Sequence, residues 1–316
     1  MSSCLLILNY NGRKHLDDCL TSALEAAGAL GSPCPVALVD NQSTEDDIPY
    51  VRARFPGVQV IVAPKNDFLF SLNAVIEGRS EDVVFILNND MRFDRGFLEP
   101  LLFHFKDPDV FAATARVFNW DGSAVTTGRR AGHFRNFWFY KEWDLSVQRP
   151  CYTLDAGGGC AAFRRLMFVE LGGFDPLFRP AYCEDTDLSY RAWKRGWKVI
   201  YEPRSVIYHK IAVTLDAVYG RPRMTRLIRR NEVLLTLKNC LGWGFAALYL
   251  SLLPWRALKS FVTGNGPLAC GIFQALPRVP AALWGRWKNR RAASVKDELF
   301  LRQIRCQELS SGEACP

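Results

Sequence analysis

Short apolar runs alternate with helical patterns over the first third of the chain, and this alternation restricts the fold more than any other feature. The apolar runs, which predict four buried strands, are at 4–8, 36–39, 58–62 and 83–87. Segments 15–27 and 71–78 between them have helical spacing. This order predicts an α/β fold with a mainly parallel central sheet and helices on both faces.

Polar residues follow three of these strands at the point where each strand ends. They are Asn9, Asp40 and Asn88. In open α/β sheets, ligands bind outside the carboxyl ends of the strands. The sequence therefore predicts a polar ligand site at this edge of the sheet.

Asp90 supplies a carboxylate at the end of the run NND at 88–90, where it can bind Mg²⁺ or Mn²⁺. Such a cation neutralises a diphosphate leaving group. The alternative is that the run only forms a turn. His209 follows a short apolar strand and, as a neutral imidazole, can complete a metal site with Asp90. A structural or surface role is the alternative for this histidine.

Glu184 and Asp185 stand at the start of a helix predicted over 185–195. Paired acids at this position either interact with the helix dipole or supply a catalytic base. As a base, Asp185 would deprotonate an acceptor hydroxyl while that oxygen attacks the anomeric carbon of a sugar. The residues alone leave both interpretations open.

Residues 114–149 are rich in aromatic and basic side chains and no longer follow the strand–helix alternation. One interpretation is a flap over an acceptor site, with Trp138 among its aromatic residues. The other is a hydrophobic subdomain that packs on the sheet. The glycines at 157–159 interrupt the next apolar segment and predict a loop that shapes the same pocket.

Positive charge is concentrated at the C-terminal end, where 16 Lys or Arg stand against five Asp or Glu after residue 219. The uncharged segment 241–255 is shorter than the ~20 residues that span a bilayer. Segment 261–284 is broken by Gly and Pro. Apolar, Trp-bearing segments flanked by Lys and Arg predict helices in a membrane interface. The alternative is a buried helical hairpin. Without a recognised nucleic-acid motif, we expect no nucleic acid partner.

Cysteine usage and the first residues indicate the compartment. The ten cysteines form no CxxC or Cys/His cluster, so we expect reduced thiols rather than a zinc site or a disulfide framework. The first residues lack the basic segment and cleavage pattern of a signal peptide. With the basic C-terminal region, these features predict a cytoplasmic protein that is peripheral on the inner face of the plasma membrane.

A series of motifs, taken in order, resembles family 2 glycosyltransferases, and in particular their bacterial rhamnosyltransferase-like branch. The motifs are NYNG at 9–12, VDNQS at 39–43, LNND at 87–90, GGFD at 172–175, YCEDTDLSYR at 182–191, and GWKVIYEP through VIYH within 196–209. The resemblance covers roughly residues 4–240. It implies a GT-A fold, a nucleotide-diphosphate sugar donor, inversion at the anomeric carbon and a divalent metal.

The resemblance also assigns roles to individual residues. Asp185 matches the general base, and Glu184 beside it matches an acceptor contact. Asp90 and His209 match the metal-binding positions. The predicted acceptor-binding set is Glu184, Gly158 and Trp138, and the predicted donor-binding set is Asn9, Asp40, Asn41, Ser43, Asn66, Asn73, Asn88 and Asn89.

The chain departs from the family pattern at two places. The family often has Asn-Pro-Asp or Asp-x-Asp where this chain has NND at 88–90, so only one carboxylate remains. Asp67, in KNDF at 65–68, replaces a glycine of the loop that normally lines the donor site. The first departure bears on metal affinity and the second on donor identity.

The predicted organisation is a GT-A domain at 1–220 and a basic, apolar, helical, membrane-associating region at 221–316. The predicted function is inverting sugar transfer from dTDP-rhamnose or a UDP-sugar to a glycan or lipid-linked acceptor in bacterial surface polysaccharide synthesis. The alternative is a catalytically silent protein that binds sugar nucleotides or polysaccharide and organises a membrane complex.

Overall fold

The computed structural model describes residues 1–210 and 220–306. The strands are β1 (Ser3–Asn9), β2 (Val36–Asp40), β3 (Gln59–Val62), β4 (Val83–Asn88), β5 (Met91–Phe93), β6 (Val110–Asn119), β7 (Val125–Thr127), β8 (Arg129–Arg135), β9 (Trp138–Asp144), β10 (Cys151–Tyr152), β11 (Cys160–Arg164) and β12 (Lys198–His209). The helices are α1 (Arg13–Ala29), α2 (Asp47–Arg54), α3 (Leu72–Glu77), α4 (Leu98–His104), α5 (Arg165–Glu170), α6 (Glu184–Lys194), α7 (Arg221–Asn239), α8 (Trp243–Val262), α9 (Gly266–Ala275), α10 (Val279–Arg291) and α11 (Asp297–Cys306), with 3-10 helices at Phe68–Ser71, Pro176–Phe178 and Leu276–Arg278. The parts of the two predicted domains at 211–219 and 307–316 lie outside these residues.

One half of the main sheet is parallel, as predicted. Strands β3, β2, β1 and β4 lie side by side in that order, all parallel. The residues of β1, β2 and β4 are almost all buried, which explains why these strands are continuous apolar runs. Their carboxyl ends carry Asn9, Asp40 and Asn88 to one edge of the sheet.

The other half of the sheet is mixed, so the prediction of a mainly parallel sheet is wrong there. Strand β11 runs antiparallel to both β4 and β6, and β10 runs antiparallel to β12. Only β6 and β12 are parallel to each other in this half. The apolar pattern of these strands identifies burial, but it carries no information on strand direction.

Strand β12 also differs from the prediction, because it is longer than the short strand expected before His209. It is a single strand whose register with β6 shifts between Glu202 and Val206. Pro203 lies in this irregular stretch, where a residue without an N–H is tolerated. The strand therefore continues to His209, which pairs with Met91 of β5.

The aromatic region folds as a hairpin of β8 and β9 that is separate from the main sheet. Phe139 is buried against Tyr190 of α6, and Phe134 contacts Phe245 of α8. The hairpin thus packs on helices through one set of aromatic side chains. Trp143 remains 43% exposed.

The C-terminal region is helical, as predicted, and it has both a buried and an exposed face. Tyr249, Leu253 and Ala257 of α8 belong to the same buried core as the sheet strands. Trp255 and Phe261 of the same helix are 63% and 76% exposed. In residues 1–210 and 220–306, no helix combines the length and apolar character needed to cross a bilayer.

Candidate functional site

Asn9 is the centre of a polar cluster formed at the carboxyl ends of β1, β2 and β4. Its side-chain Nδ2 lies 3.0 Å from Asp40 Oδ1, 3.2 Å from Ser43 Oγ and 2.7 Å from Asp47 Oδ2. Asn89 donates to Asn9 Oδ1 at 2.6 Å. Four predicted donor-binding residues are therefore brought together, and we call this group with Asp47 the donor-side cluster.

Asp47 and Gly12 are members of this region that the sequence interpretation missed. Asp47 is fully buried, and its Oδ2 also accepts the backbone N–H of Gly12 at 2.8 Å. A Cβ atom at Gly12 would lie 1.9 Å from Asn89 Nδ2, so any larger residue would push the Asn89 side chain away. Asp47 Oδ1 is buried and has no partner, which leaves one acceptor for a ligand.

Asn41, Asn66 and Asn73 use their side chains for other contacts, although the Asn41 backbone N–H donates to the Asn9 carbonyl at 2.8 Å. Asn41 donates to the Phe68 carbonyl at 3.0 Å, and its buried Oδ1 has no partner. Asn66 accepts from the Phe68 N–H at 3.3 Å. Asn73 binds both the N–H and the carbonyl of Phe174 at 2.9 Å, so both ends of its amide hold a loop.

Asn88 connects the donor side to the glycine loop at 157–159. Its backbone N–H donates to the Gly159 carbonyl at 3.1 Å, and a Cβ atom at Gly159 would lie 2.4 Å from the Asn88 side chain. Gly158, a predicted acceptor-binding residue, lies close to the 3-10 helix at Phe68–Ser71, since a Cβ atom at Gly158 would lie 2.7 Å from Leu69. A larger residue at either position would therefore force the facing Leu69 or Asn88 side chain to move.

Asp67, which departs from the family pattern, forms a two-point ion pair with Arg179. Arg179 Nε lies 2.7 Å from Asp67 Oδ1, and its Nη2 also contacts the carboxylate. The guanidinium lies over the ring of Phe70. This pair joins the loop at 65–68 to the segment that leads into α6.

Asp90 and His209 meet because the end of β12 lies beside the turn that follows β4. The backbone N–H of Lys210 donates to the Asp90 carbonyl at 3.1 Å. His209 Nε2 lies 3.3 Å from Asp90 Oδ1, a buried oxygen that accepts no hydrogen bond. Within the described chain, no group of three or more His, Cys, Asp or Glu side chains is gathered as a complete ion site. The predicted metal pair is therefore adjacent, and further ligands would have to come from a bound molecule.

The chain enters α6 through a strained turn that the C-terminal region holds in place. Tyr182 and Cys183 have φ values of 25° and 71°, a conformation that costs about 1–3 kcal/mol for non-glycine residues. Asn231 of α7, fully buried, donates to the carbonyls of Ala181 and Tyr182 at 2.9 and 2.8 Å. The turn therefore depends on a residue far along the sequence.

Glu184 and Asp185 follow this turn, Glu184 as a buried acid and Asp185 as a half-buried one. Burial and the neighbouring Asp185 raise the pKa of Glu184 to about 8, and its Oε2 has no hydrogen-bond partner. Burial, followed by repulsion from Asp155, also raises the pKa of Asp185. Arg130, Lys141 and the N–H of Thr186, at 2.7 Å from Asp185 Oδ1, act in the opposite direction.

Trp138 does not lie with these acids. Side chains alternate between the two faces of a strand, so Trp138 and Lys141 of β9 point to opposite faces. Lys141 Nζ lies 3.5 Å from Thr186 Oγ1, whereas Trp138 contacts Tyr249 and Arg256 of α8. Phe139 and Trp143 share the Lys141 face, and Trp143 is the exposed one of the two.

The arrangement thus offers two separate chemical functions. The Asp90–His209 pair presents an oxygen and a nitrogen ligand that suit a divalent cation. Asp185 presents a half-buried carboxylate with nearby cations, which suits a proton acceptor. In the described residues every cysteine is a free thiol.

Comparison with known proteins identifies the family of this chain. The model of glycosyl transferase family 2 matches residues 4–172. N-acetylglucosaminyl-diphospho-decaprenol L-rhamnosyltransferase of Mycobacterium tuberculosis is 26% identical over 289 residues, a match that covers 81% of this chain and 91% of that protein. Pre-mycofactocin glycosyltransferase of the same organism is 26% identical over 258 residues, which is 78% of this chain and 49% of that protein.

Solved structures share the fold at low sequence identity. S. aureus TarS 1–349 in complex with UDP-GlcNAc aligns with a TM-score of 0.56 and 15% identity, covering 92% of this chain and 89% of that chain. Mannosyltransferase PcManGT from Pyrobaculum calidifontis, solved with GDP-Man and Mn²⁺, aligns with a TM-score of 0.55 and 17% identity, covering 98% and 88%. These likenesses establish the fold alone.

Proposed function

The chain belongs to glycosyltransferase family 2 and is of the bacterial rhamnosyltransferase type, and on this premise we propose that it transfers a sugar with inversion from dTDP-rhamnose or a UDP-sugar. The acceptor is a glycan or lipid-linked glycan of bacterial surface polysaccharide synthesis. The observation that carries the proposal is the half-buried Asp185 carboxylate near Arg130 and Lys141, in a fold whose strand ends form the donor-side cluster. The printed name of the mycobacterial relative, which describes a lipid-linked acceptor, supports the acceptor class.

Asp185 is the general base of the proposed reaction. It takes the proton of the acceptor hydroxyl while the oxygen forms its bond to the anomeric carbon. The bond between that carbon and the diphosphate oxygen breaks, and its electron pair leaves on the nucleoside diphosphate. Glu184, which keeps its proton near neutral pH because its pKa is about 8, can donate a hydrogen bond to an acceptor oxygen.

Asp90 and His209 fit a divalent cation, Mg²⁺ or Mn²⁺. The buried, unpartnered Asp90 Oδ1 and the nearby imidazole nitrogen are the supporting observations. A cation held there supplies Lewis-acid neutralisation of the diphosphate leaving group. Because two protein ligands leave positions open, the donor diphosphate would complete the coordination.

The donor-side cluster would orient the nucleotide. Asp47 Oδ1 and Asn41 Oδ1 are buried acceptors without partners, and they suit the N–H of a base or a ribose hydroxyl. Asn9 and Asn89 hold the geometry of this cluster through their own hydrogen bonds.

Trp143, exposed on the Lys141 face of the hairpin, offers a flat apolar surface for a sugar ring.

The test of the proposed function is a donor panel. Purified protein with Mn²⁺ is incubated with dTDP-, UDP- and GDP-sugars and a lipid-linked N-acetylglucosamine acceptor, and release of nucleoside diphosphate is measured. Acceptor-dependent release with at least one dTDP- or UDP-sugar is expected. Absence of release with every pair would favour the silent binding protein instead.

We further propose that the enzyme docks on the inner face of the plasma membrane through an apolar tip, formed by Trp255, Leu258, Phe261, Val262 and Phe273. These side chains are between 57% and 76% exposed. Lys259, an exposed residue of α8 between Leu258 and Phe261, adds a positive charge to the tip that suits anionic headgroups.

Vesicle flotation tests this docking. The double variant Trp255→Ser with Phe261→Ser is expected to lose binding to phosphatidylglycerol-containing vesicles while it keeps its melting temperature. Leu166→Ser is the matched control, because Leu166 is 65% exposed on α5, outside the tip. Equal vesicle binding by wild type and both variants would contradict the docking surface.

A further inference from the structure

The hairpin of β8 and β9 brings two cations to the buried side of the Asp185 carboxylate. Arg130 Nη1 lies 2.9 Å from Asp155 Oδ2, and the same oxygen accepts the Thr186 hydroxyl at 2.6 Å. Lys141 Nζ lies 3.5 Å from that hydroxyl. Thr186 donates its backbone N–H to Asp185 Oδ1 at 2.7 Å. A continuous chain of polar contacts therefore runs from the hairpin to the base.

We propose that Arg130 and Lys141 are positioning residues for sugar transfer, which act through Asp155 and Thr186 to hold the Asp185 carboxylate ready for the acceptor hydroxyl. The inference rests on the proposed function, in which Asp185 is the base. It adds a role for the aromatic hairpin, which reaches the base from β8 and β9.

Charge balance in this buried group explains why two cations are needed. Glu184, Asp185 and Asp155 are three acids in close proximity, and Arg130 and Lys141 are the two cations that face them. The group is neutral when one acid keeps its proton. The unpartnered Oε2 of Glu184 favours the proton there, since it accepts no hydrogen bond as an anion. Asp185 is then the ionised member that can accept a proton.

Other titratable groups near Asp185 do not supply this balance. The thiols of Cys160 and Cys183 have pKa values raised by burial, to about 11 and about 12, so they remain neutral. Asp187, on the next turn of α6, is already paired with Arg191 at 2.8 Å and Lys238 at 2.6 Å. The two hairpin cations are thus the counter-charges assigned to the base.

The pH dependence of kcat/KM for acceptor tests the inference with Arg130→Met, Lys141→Met and the charge-retaining Arg130→Lys. Loss of a nearby cation raises the pKa of a carboxyl group, so the acid limb of each Met variant is expected to move up by about 1–2 pH units. Their rate would fall at neutral pH and recover as the pH rises. Arg130→Lys is expected to restore the limb toward its wild-type position. Arg135→Met, at an exposed position of β8, is the matched control with an unshifted limb.

Two outcomes would overturn the inference. An unshifted acid limb in both Met variants, with or without a uniform loss of rate, would mean that the cations only stabilise the fold. Wild-type protein without transfer at any pH would overturn the proposed function, and this inference with it. An active wild type with unshifted variants would overturn this inference alone.

Discussion

The donor-side cluster and the acids and cations around Asp185 are both polar and largely buried, but their carboxylates are stabilised in different ways. Asp40 and Asp47 accept hydrogen bonds from an amide, a hydroxyl and backbone N–H groups. Asp155 contacts the Arg130 guanidinium, and the charges of Arg130 and Lys141 act on Asp185. Hydrogen bonds from neutral donors hold the carboxylates in a fixed geometry. Cations do this as well, and they also determine which acid is ionised. Substitutions on the donor side should therefore change mainly stability, and those near Asp185 mainly rate.

The largest effect on the rate of sugar transfer is expected from substitution of Asp185. Asp185→Asn removes the proton acceptor and should lower kcat by about 10²–10⁴, the usual contribution of general-base catalysis, while donor affinity measured by calorimetry stays close to wild type. Glu184→Gln is the paired variant, because glutamine resembles the protonated acid. It should stay within about tenfold of wild type, since no general base is removed. Equal losses of kcat in the two variants would contradict the assignment of the general base to Asp185 rather than to Glu184.

Metal removal should have the next largest effect. Chelation with EDTA should stop transfer, and added Mn²⁺ should restore it. Asp90→Asn weakens the carboxylate ligand and should lower the rate by about 10–100-fold, a typical loss for disturbed metal sites, with partial recovery at higher Mn²⁺ concentration. Asp94→Asn, a nearby acid after β5, is the control. Full wild-type activity in EDTA would remove the metal role of Asp90 and His209.

The smallest effect on rate, and the clearest effect on stability, is expected at Asp47. Asp47→Asn places an amide donor opposite the Asn9 amide or the Gly12 N–H, so it should cost about 1–3 kcal/mol of unfolding free energy. Urea unfolding measures this loss. Asp46→Asn, on an exposed neighbour, should leave the free energy unchanged. A stable Asp47→Asn protein would show that the donor-side cluster is not the shape-holding network described.

Much of the parallel half of the fold could be predicted, because buried parallel strands are distinct apolar runs. The mixed half could not, since antiparallel β11 has the same apolar composition as a parallel strand. Helix α2 was also missed. Its first turn follows the polar run at 42–47 and contains Pro49, which a helix tolerates in its first turn although the pattern resembles a loop.

The candidate site was predicted where polar residues end a strand, as at Asn9, Asp40 and Asp90. Asp47 and Asp155 were missed because they act from outside strand ends. Asp155 did leave a signal, since it is a single acid inside an otherwise apolar segment next to three glycines. Burial of such an acid requires a partner, but the sequence does not reveal that Arg130 is that partner.

The buried pairing of Asp187 with Lys238 has a consequence for how this chain can diverge. Asp187 belongs to α6, the helix that carries Asp185. Lys238 belongs to α7, where Asn231 also supports the turn before Glu184. A hybrid that exchanged the residues after 220 for those of a relative without a lysine at this position would leave Asp187 with Arg191 as its remaining ion-pair partner. We expect substitutions at Asp187 and Lys238 to be coupled, because a buried charge that loses a partner is destabilising.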